Sequence, residues 1–153
     1  MKQRVPGRAW YVGGSAHRPR VLVESDNPAL AISDFSMFQD AGFDVAFCSG
    51  PGGTPEACPL LRGQECAVLT GADAVLHKLD HRLGIAAAIH RQRPSIPVVV
   101  EERRSADGDM PAVPDGCVPL PYPCSVKGQV DALRRALASR GRPTAPNARP
   151  RRT

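Results

Sequence analysis

The chain has 153 residues, of which 42% are hydrophobic, 23% charged and only 5% aromatic, with a formal net charge of +5. That suits one compact domain, does not suggest disorder, and excludes a repeat array and a collagen-like protein. No apolar run approaches the roughly 18–20 residues that span a bilayer, and the basic start, MKQRVPGRAWYVGGSAHRPR, lacks a secretory apolar region, so a cytoplasmic protein without membrane contact is expected.

The charge is unevenly placed. Residues 1–20 hold five bases and no acid, and residues 140–153 hold Arg140, Arg142, Arg149, Arg151 and Arg152 and no acid. The middle is mildly acidic. The expected division is a basic flank at 1–19, a folded domain at 20–138 and a tail at 139–153. The tail is rich in Pro and Arg and has no Val, Ile, Leu or aromatic residue, so it cannot repay its ordering entropy and is expected to be disordered. It reads as a solubilising arm. As a nucleic-acid or acidic-surface contact it would add affinity without sequence specificity.

In chain order, Arg20–Ser25 is a β-branched run and predicts a buried strand. Asn27-Pro28 then supplies a capping side chain and a first-turn proline. Ala31, Phe35 and Phe38, with Ile32 beside them, mark a helix over 28–41 that stops at Gly42. Phe43–Cys48 predicts a second strand, ended by the breakers Ser-Gly-Pro-Gly-Gly-Thr-Pro. That glycine-rich stretch lacks the GxxxxGK[ST] spacing of a phosphate loop. Pro59, Gly63 and Gly71 leave only a short helix at 64–69.

Asp73–Lys78 predicts a third strand. Residues 81–93 predict a helix on Leu83, Ala86, Ala87 and His90, with Ile85 and Ile89. Val98–Glu101 is a fourth strand, 102–116 a polar loop with at most one helical turn, and Cys117–Leu120 a fifth strand. Ser125 caps a last helix whose stripe is Val126, Val130, Leu133 and Leu137. Short, continuously apolar strands alternating with helices predict a doubly wound parallel sheet of five strands, flavodoxin-like, in the order 2-1-3-4-5. Trp10-Tyr11-Val12 is the one apolar cluster of the N-terminal flank and reads as an added edge strand, a segment docked on the sheet, or a partner-binding peptide.

The five cysteines, Cys48, Cys58, Cys66, Cys117 and Cys124, are odd in number and contain no CxxC. Neither a disulfide scaffold nor a common zinc pattern is expected. Cys48 and Cys117 read as small buried hydrophobes. Cys58 and Cys66 bracket CPLLRGQEC and are the candidates for a redox pair or metal clip. His77, His81 and His90 have no convincing ligand spacing to a cysteine.

Four stretches together carry a resemblance. RVLVESDNP, AGFDVAFCSG, RQRPSIPVVV and PYPCSVKGQVDALRRAL resemble, in this order and at nearly this spacing, the receiver domain of two-component response regulators, over residues 20–138. The resemblance implies a pocket of two acids binding Mg²⁺, an Asp that accepts a phosphoryl group, a Ser or Thr, and a Lys. On this chain the acidic pair falls on Ser25 and Asp26. The acceptor falls on Lys78, with Asp73 matching the acid that opens the third strand. The Ser/Thr position falls on Glu101 or Glu102, and the Lys on Tyr122 before Pro123, or Leu120 before Pro121.

Lysine cannot form an acyl phosphate, and a glutamate there repels phosphate. The chain is therefore expected to be a degenerate receiver: a non-catalytic regulatory module acting through a protein partner, or as a homodimer, without a cofactor. Lys78 then either pairs with Asp26 as a built-in salt bridge or snorkels to solvent. The fourth receiver helix is expected to be shortened or lost. The alternatives are an atypical phospho-acceptor using Asp80 or Asp73, a transcription-associated binder acting through the basic tail, and a cysteine-based redox or metal sensor.

Overall fold

The structure, a computed structural model, describes residues 18–140 apart from Gly53 and Pro111, with the backbone alone at Pro28 and Ala31. The expected tail, with Arg142, Arg149, Arg151 and Arg152, and the Trp10-Tyr11-Val12 cluster lie outside the described residues. Five strands form one parallel sheet: β1 (Arg20–Ser25), β2 (Asp44–Cys48), β3 (Ala74–Lys78), β4 (Val98–Glu102) and β5 (Val118–Pro121). Their order is β2-β1-β3-β4-β5, and every pairing is parallel, as the alternation of apolar runs and helices predicts. Four α-helices connect and cover them: α1 (Pro28–Asp40), α2 (Ala67–Thr70), α3 (Ile85–Gln92) and α4 (Val126–Ser139). None is long and apolar enough to cross a membrane.

The two-residue repeat of a strand sends alternate side chains to opposite faces, and the core divides accordingly. Val21, Val23, Ala74, Leu76, Val99 and Leu120 pack with Phe38, Phe43 and Leu133, on the face of α1 and α4. Leu22, Val75, Val98 and Val100 pack with Leu60, Leu69, Ile85 and Ile89 on the other face. The edge strand β5 carries Pro119 and Pro121, residues a strand tolerates where no further strand needs the missing N–H.

The capping residues behave as their chemistry requires. Asn27 Oδ1 accepts from the Leu30 N–H at 3.3 Å, and Ser25 Oγ from the Asn27 N–H at 3.2 Å. Ser125 Oγ accepts from the Gly128 N–H at 3.1 Å. Gly42, at φ +96°, takes the left-handed conformation that ends α1 cheaply.

Several sequence expectations need correction. The stripe drawn for α1 holds only in part: Phe38 is buried and Phe35 half-buried, but Ile32 is exposed. The helix expected over 81–93 splits, because Gly84 at φ +73° separates a 3₁₀ turn, His81–Leu83, from α3. The buried face of α3 is Ile85, Ala86, Ala88 and Ile89 rather than Leu83, Ala87 and His90. Between β2 and β3 the prolines impose two 3₁₀ turns, Pro55–Ala57 and Pro59–Arg62, and the helix expected at 64–69 is the single turn of α2. The fifth strand begins at Val118, so Cys117 lies in the loop before it. Residues 103–117 contain no helix among the described positions. Arg140, counted with the free tail, pairs instead with Asp73 at 2.9 Å.

Candidate functional site

In an open parallel sheet the crevice at the carboxyl ends of the strands is where ligands sit. Here that edge carries a cavity of about 210 Å³ whose charged lining includes Asp26, Lys78, Asp80, Glu101, Arg103 and Arg104. Each arrives from a different piece of backbone. Asp26 follows β1, Lys78 ends β3 and Asp80 opens the following 3₁₀ turn. Glu101 lies in β4, with Arg103 and Arg104 just beyond it.

The acids in this cavity are largely spoken for. Asp80 caps its turn, its Oδ1 accepting from the Arg82 N–H at 2.9 Å. The Arg82 guanidinium grips both carboxylate oxygens, at 2.7 Å from Nη2 and 3.1 Å from Nε, and reaches Asp107 at 3.0 Å. Glu101, 8% exposed, accepts from Arg103 Nη2 at 3.0 Å and Nε at 3.1 Å. The Arg103 guanidinium lies 5.1 Å from the centre of the Tyr122 ring, a cation–π distance.

Hydrogen bonds from the Arg82 side chain, then from its backbone N–H, hold the Asp80 carboxyl down at about 2, against an ordinary 3.8. A depressed carboxyl stabilises the fold above its unfolded value and loses that contribution as pH falls through the folded one. The Asp80–Arg82 contact is therefore expected to persist through pH 3.8 and fail as pH approaches about 2. Carboxyl NMR titration checks this: Asp80 should titrate near 2, and Arg82→Ala should move its midpoint back toward 3.8.

The structure brings Asp26, Lys78 and Glu101 to one cavity, as the residue mapping implies. Ser25 is buried and tied to the Asn27 N–H. Glu102 and Tyr122 are not among the lining residues, and Tyr122 is 52% exposed. Asp73 sits at the opposite, amino edge of β3, accepting from the Arg20 N–H at 2.9 Å and pairing with Arg140, which removes it from this chemistry. Of the two readings of Lys78, the built-in salt bridge to Asp26 is not formed among the described residues. An exposed carboxylate offers such a pair at most about 1 kcal/mol, against the entropy of a long side chain.

These residues do not fit a magnesium ion. That ion demands oxygen ligands in near-octahedral array. Asp26 is the one carboxylate of the cavity without an arginine on it, and Lys78 supplies a cation where a ligand is needed. No group of three His, Cys, Asp or Glu among the described residues is arranged to hold a metal.

Sequence reasoning missed two features. One is the pair of arginines, Arg82 and Arg103, each two residues beyond the acid it holds. The other lies one layer inward, where His77 Nδ1 and Glu24 Oε1 meet at 2.7 Å with both side chains at least 96% buried. An acid and a histidine in otherwise apolar strand interiors were the available signal. Cys58 and Cys66 carry free thiols and line one cavity together with Cys48. Burial pushes the Cys48 and Cys117 thiols up, in keeping with apolar packing.

No family model matches the chain, and no curated protein matches it. Solved structures do. A response regulator receiver protein from Sinorhizobium medicae is 20% identical, with a TM-score of 0.55, covering 82% of this chain and 99% of its own. The signal receiver domain of an HD domain-containing protein from Pseudomonas fluorescens is 20% identical at 0.55, covering 80% and 97%. A CheY-like receiver domain from Methanospirillum hungatei is 15% identical at 0.53, covering 80% and 95%. The chain therefore has the fold of response-regulator receiver domains.

Proposed function

We propose that this chain is a receiver-like signalling module that works non-catalytically, by binding another protein, and is not phosphorylated at the carboxyl edge of its sheet. The observation that carries this reading is the content of that edge. Lys78, which the resemblance to receivers maps onto the acceptor position, lines the cavity there, and the neighbouring acids Asp80 and Glu101 are already paired with Arg82 and Arg103. Charge balance that receivers achieve with metal and phosphate is supported here by the chain's own guanidinium groups. The lack of a helix between β4 and β5 among the described residues supports a partner surface unlike the usual one.

The test is incubation with acetyl phosphate and Mg²⁺ followed by intact-mass measurement. The expected result is an unmodified mass. A phosphoryl adduct abolished by Asp80→Asn would establish the atypical phospho-acceptor instead. Lys78→Ala is expected to change the unfolding free energy by no more than about 0.5 kcal/mol, the range of ordinary surface substitutions.

A further inference from the structure

Beside the charged edge, and independent of the reading above, a cavity of about 170 Å³ opens on the α3 face of the sheet. The sheet contributes His77 and Val100 to its lining, and α3 contributes Ala86 and Ala87. Ala112 and Pro114 come from the connection between β4 and β5, where the described residues form no helix.

One polar atom behind this lining is unsatisfied. His77 is 1% exposed, its Nδ1 meets Glu24 Oε1 at 2.7 Å, and its Nε2 is buried with no hydrogen-bond partner. Register fixes which way that nitrogen looks. Glu24 stands beside His77 on β1, and Val100 stands beside it on β4, across the ring. With Nδ1 turned toward β1, Nε2 lies on the β4 side. The cavity lies on that side too, since Val100 lines it and Glu24 does not.

A carboxylate only accepts, so Nδ1 carries the proton and the neutral ring presents Nε2 as an acceptor. A buried acceptor without a donor is costly, and a donor delivered through the cavity removes that cost. Water is a poor remedy. A buried water needs about two to four polar partners, and apart from His77 and His81 no side chain of the lining is polar. A metal ion fits no better, since no three ligating side chains among the described residues are arranged to hold one. The volume is close to that of an engineered cavity of roughly 150 Å³ that takes benzene.

We propose that this cavity binds a small organic molecule with an apolar body about the size of one benzene ring and one hydrogen-bond-donating head, the head on His77 Nε2 and the body against Val100, Ala86 and Ala87. Glu24 serves as a positioning residue, holding the imidazole in the tautomer that accepts.

The experiment uses the full chain and two probes, phenol and toluene, which share the ring and differ in the donor. Both are titrated by NMR, with the imidazole nitrogens of His77 observed directly. Phenol is expected to move the Nε2 resonance upfield, as an accepted hydrogen bond does, and toluene to leave it in place. Glu24→Val/His77→Leu removes the acceptor together with its carboxylate. It should weaken phenol about tenfold, the worth of one hydrogen bond, while toluene loses little. Following each probe across variants cancels its hydration in water. Ala87→Leu fills the cavity from a helical position and should weaken both probes. No binding of phenol, an Nε2 resonance that phenol leaves unmoved, equal losses for the two probes in the double variant, or binding indifferent to Ala87→Leu would overturn the proposal. Should the double variant not fold, the Nε2 resonance of the parent protein decides alone.

Discussion

Glu24→Ala is expected to lower the unfolding free energy by about 1–3 kcal/mol, because it leaves the buried His77 imidazole without its hydrogen-bond partner. Glu24 and His77 are hydrogen-bonded at 2.7 Å in the sheet interior, and His77 Nε2 is already buried without a partner. Removing the carboxylate leaves the imidazole with no polar contact at all among the described residues. The double variant Glu24→Val/His77→Leu should behave oppositely. It replaces the pair with apolar side chains in a row already flanked by Val100, and its stability should match or exceed wild type by about 1–4 kcal/mol. Urea unfolding of the two variants and the parent decides the matter. If the double variant is as unstable as the single, the pair is a net stabiliser and the account of its cost is wrong.

Phe38→Ala is expected to cost about 3–5 kcal/mol, the usual price of deleting a fully buried aromatic ring. The effect should be concentrated in one element. Phe38 is the one fully buried side chain described on α1, and its ring packs among Val21, Phe43 and Leu133. Helix α4, by contrast, is held by Val130, Ala132, Leu133 and Ala136 together. Amide exchange should therefore rise across Pro28–Asp40 more than across Val126–Ser139. Ile32→Ser on the same helix is a control. Ile32 is 74% exposed, and its loss should fall within about 0.5 kcal/mol. Comparable destabilisation by the two changes would mean that α1 packs differently from its burial pattern.

The candidate site was legible to different depths. Asp26, Lys78 and Glu101 were placed by the resemblance to receiver domains, which sets them at or just beyond strand ends, at the sheet's carboxyl edge. The ion pairs were not legible. Whether Asp80 meets Arg82, Lys78 or a solvent ion depends on how a short turn folds back, and Asp80 won Arg82 by capping a turn of its own. Lys78 and Asp26 share a cavity yet remain apart, which residue order could not decide. The cysteines show the same limit. Cys58 and Cys66 bracket one loop in sequence, but Cys48, from a strand ten residues earlier, completes the wall they share.

By itself the amino-acid order determined the succession of strands and helices, the parallel sheet and its strand order. Apolar runs of strand length, prolines, glycines and capping side chains act over a few residues, and right-handed crossovers leave few ways to assemble them. Only the tertiary structure decided which polar groups met inside. A buried charge takes whichever partner the packing of distant segments brings within about 3 Å. Register across β1 and β3 set Glu24 against His77, and the replacement of a full helix by proline-imposed turns left room beside them.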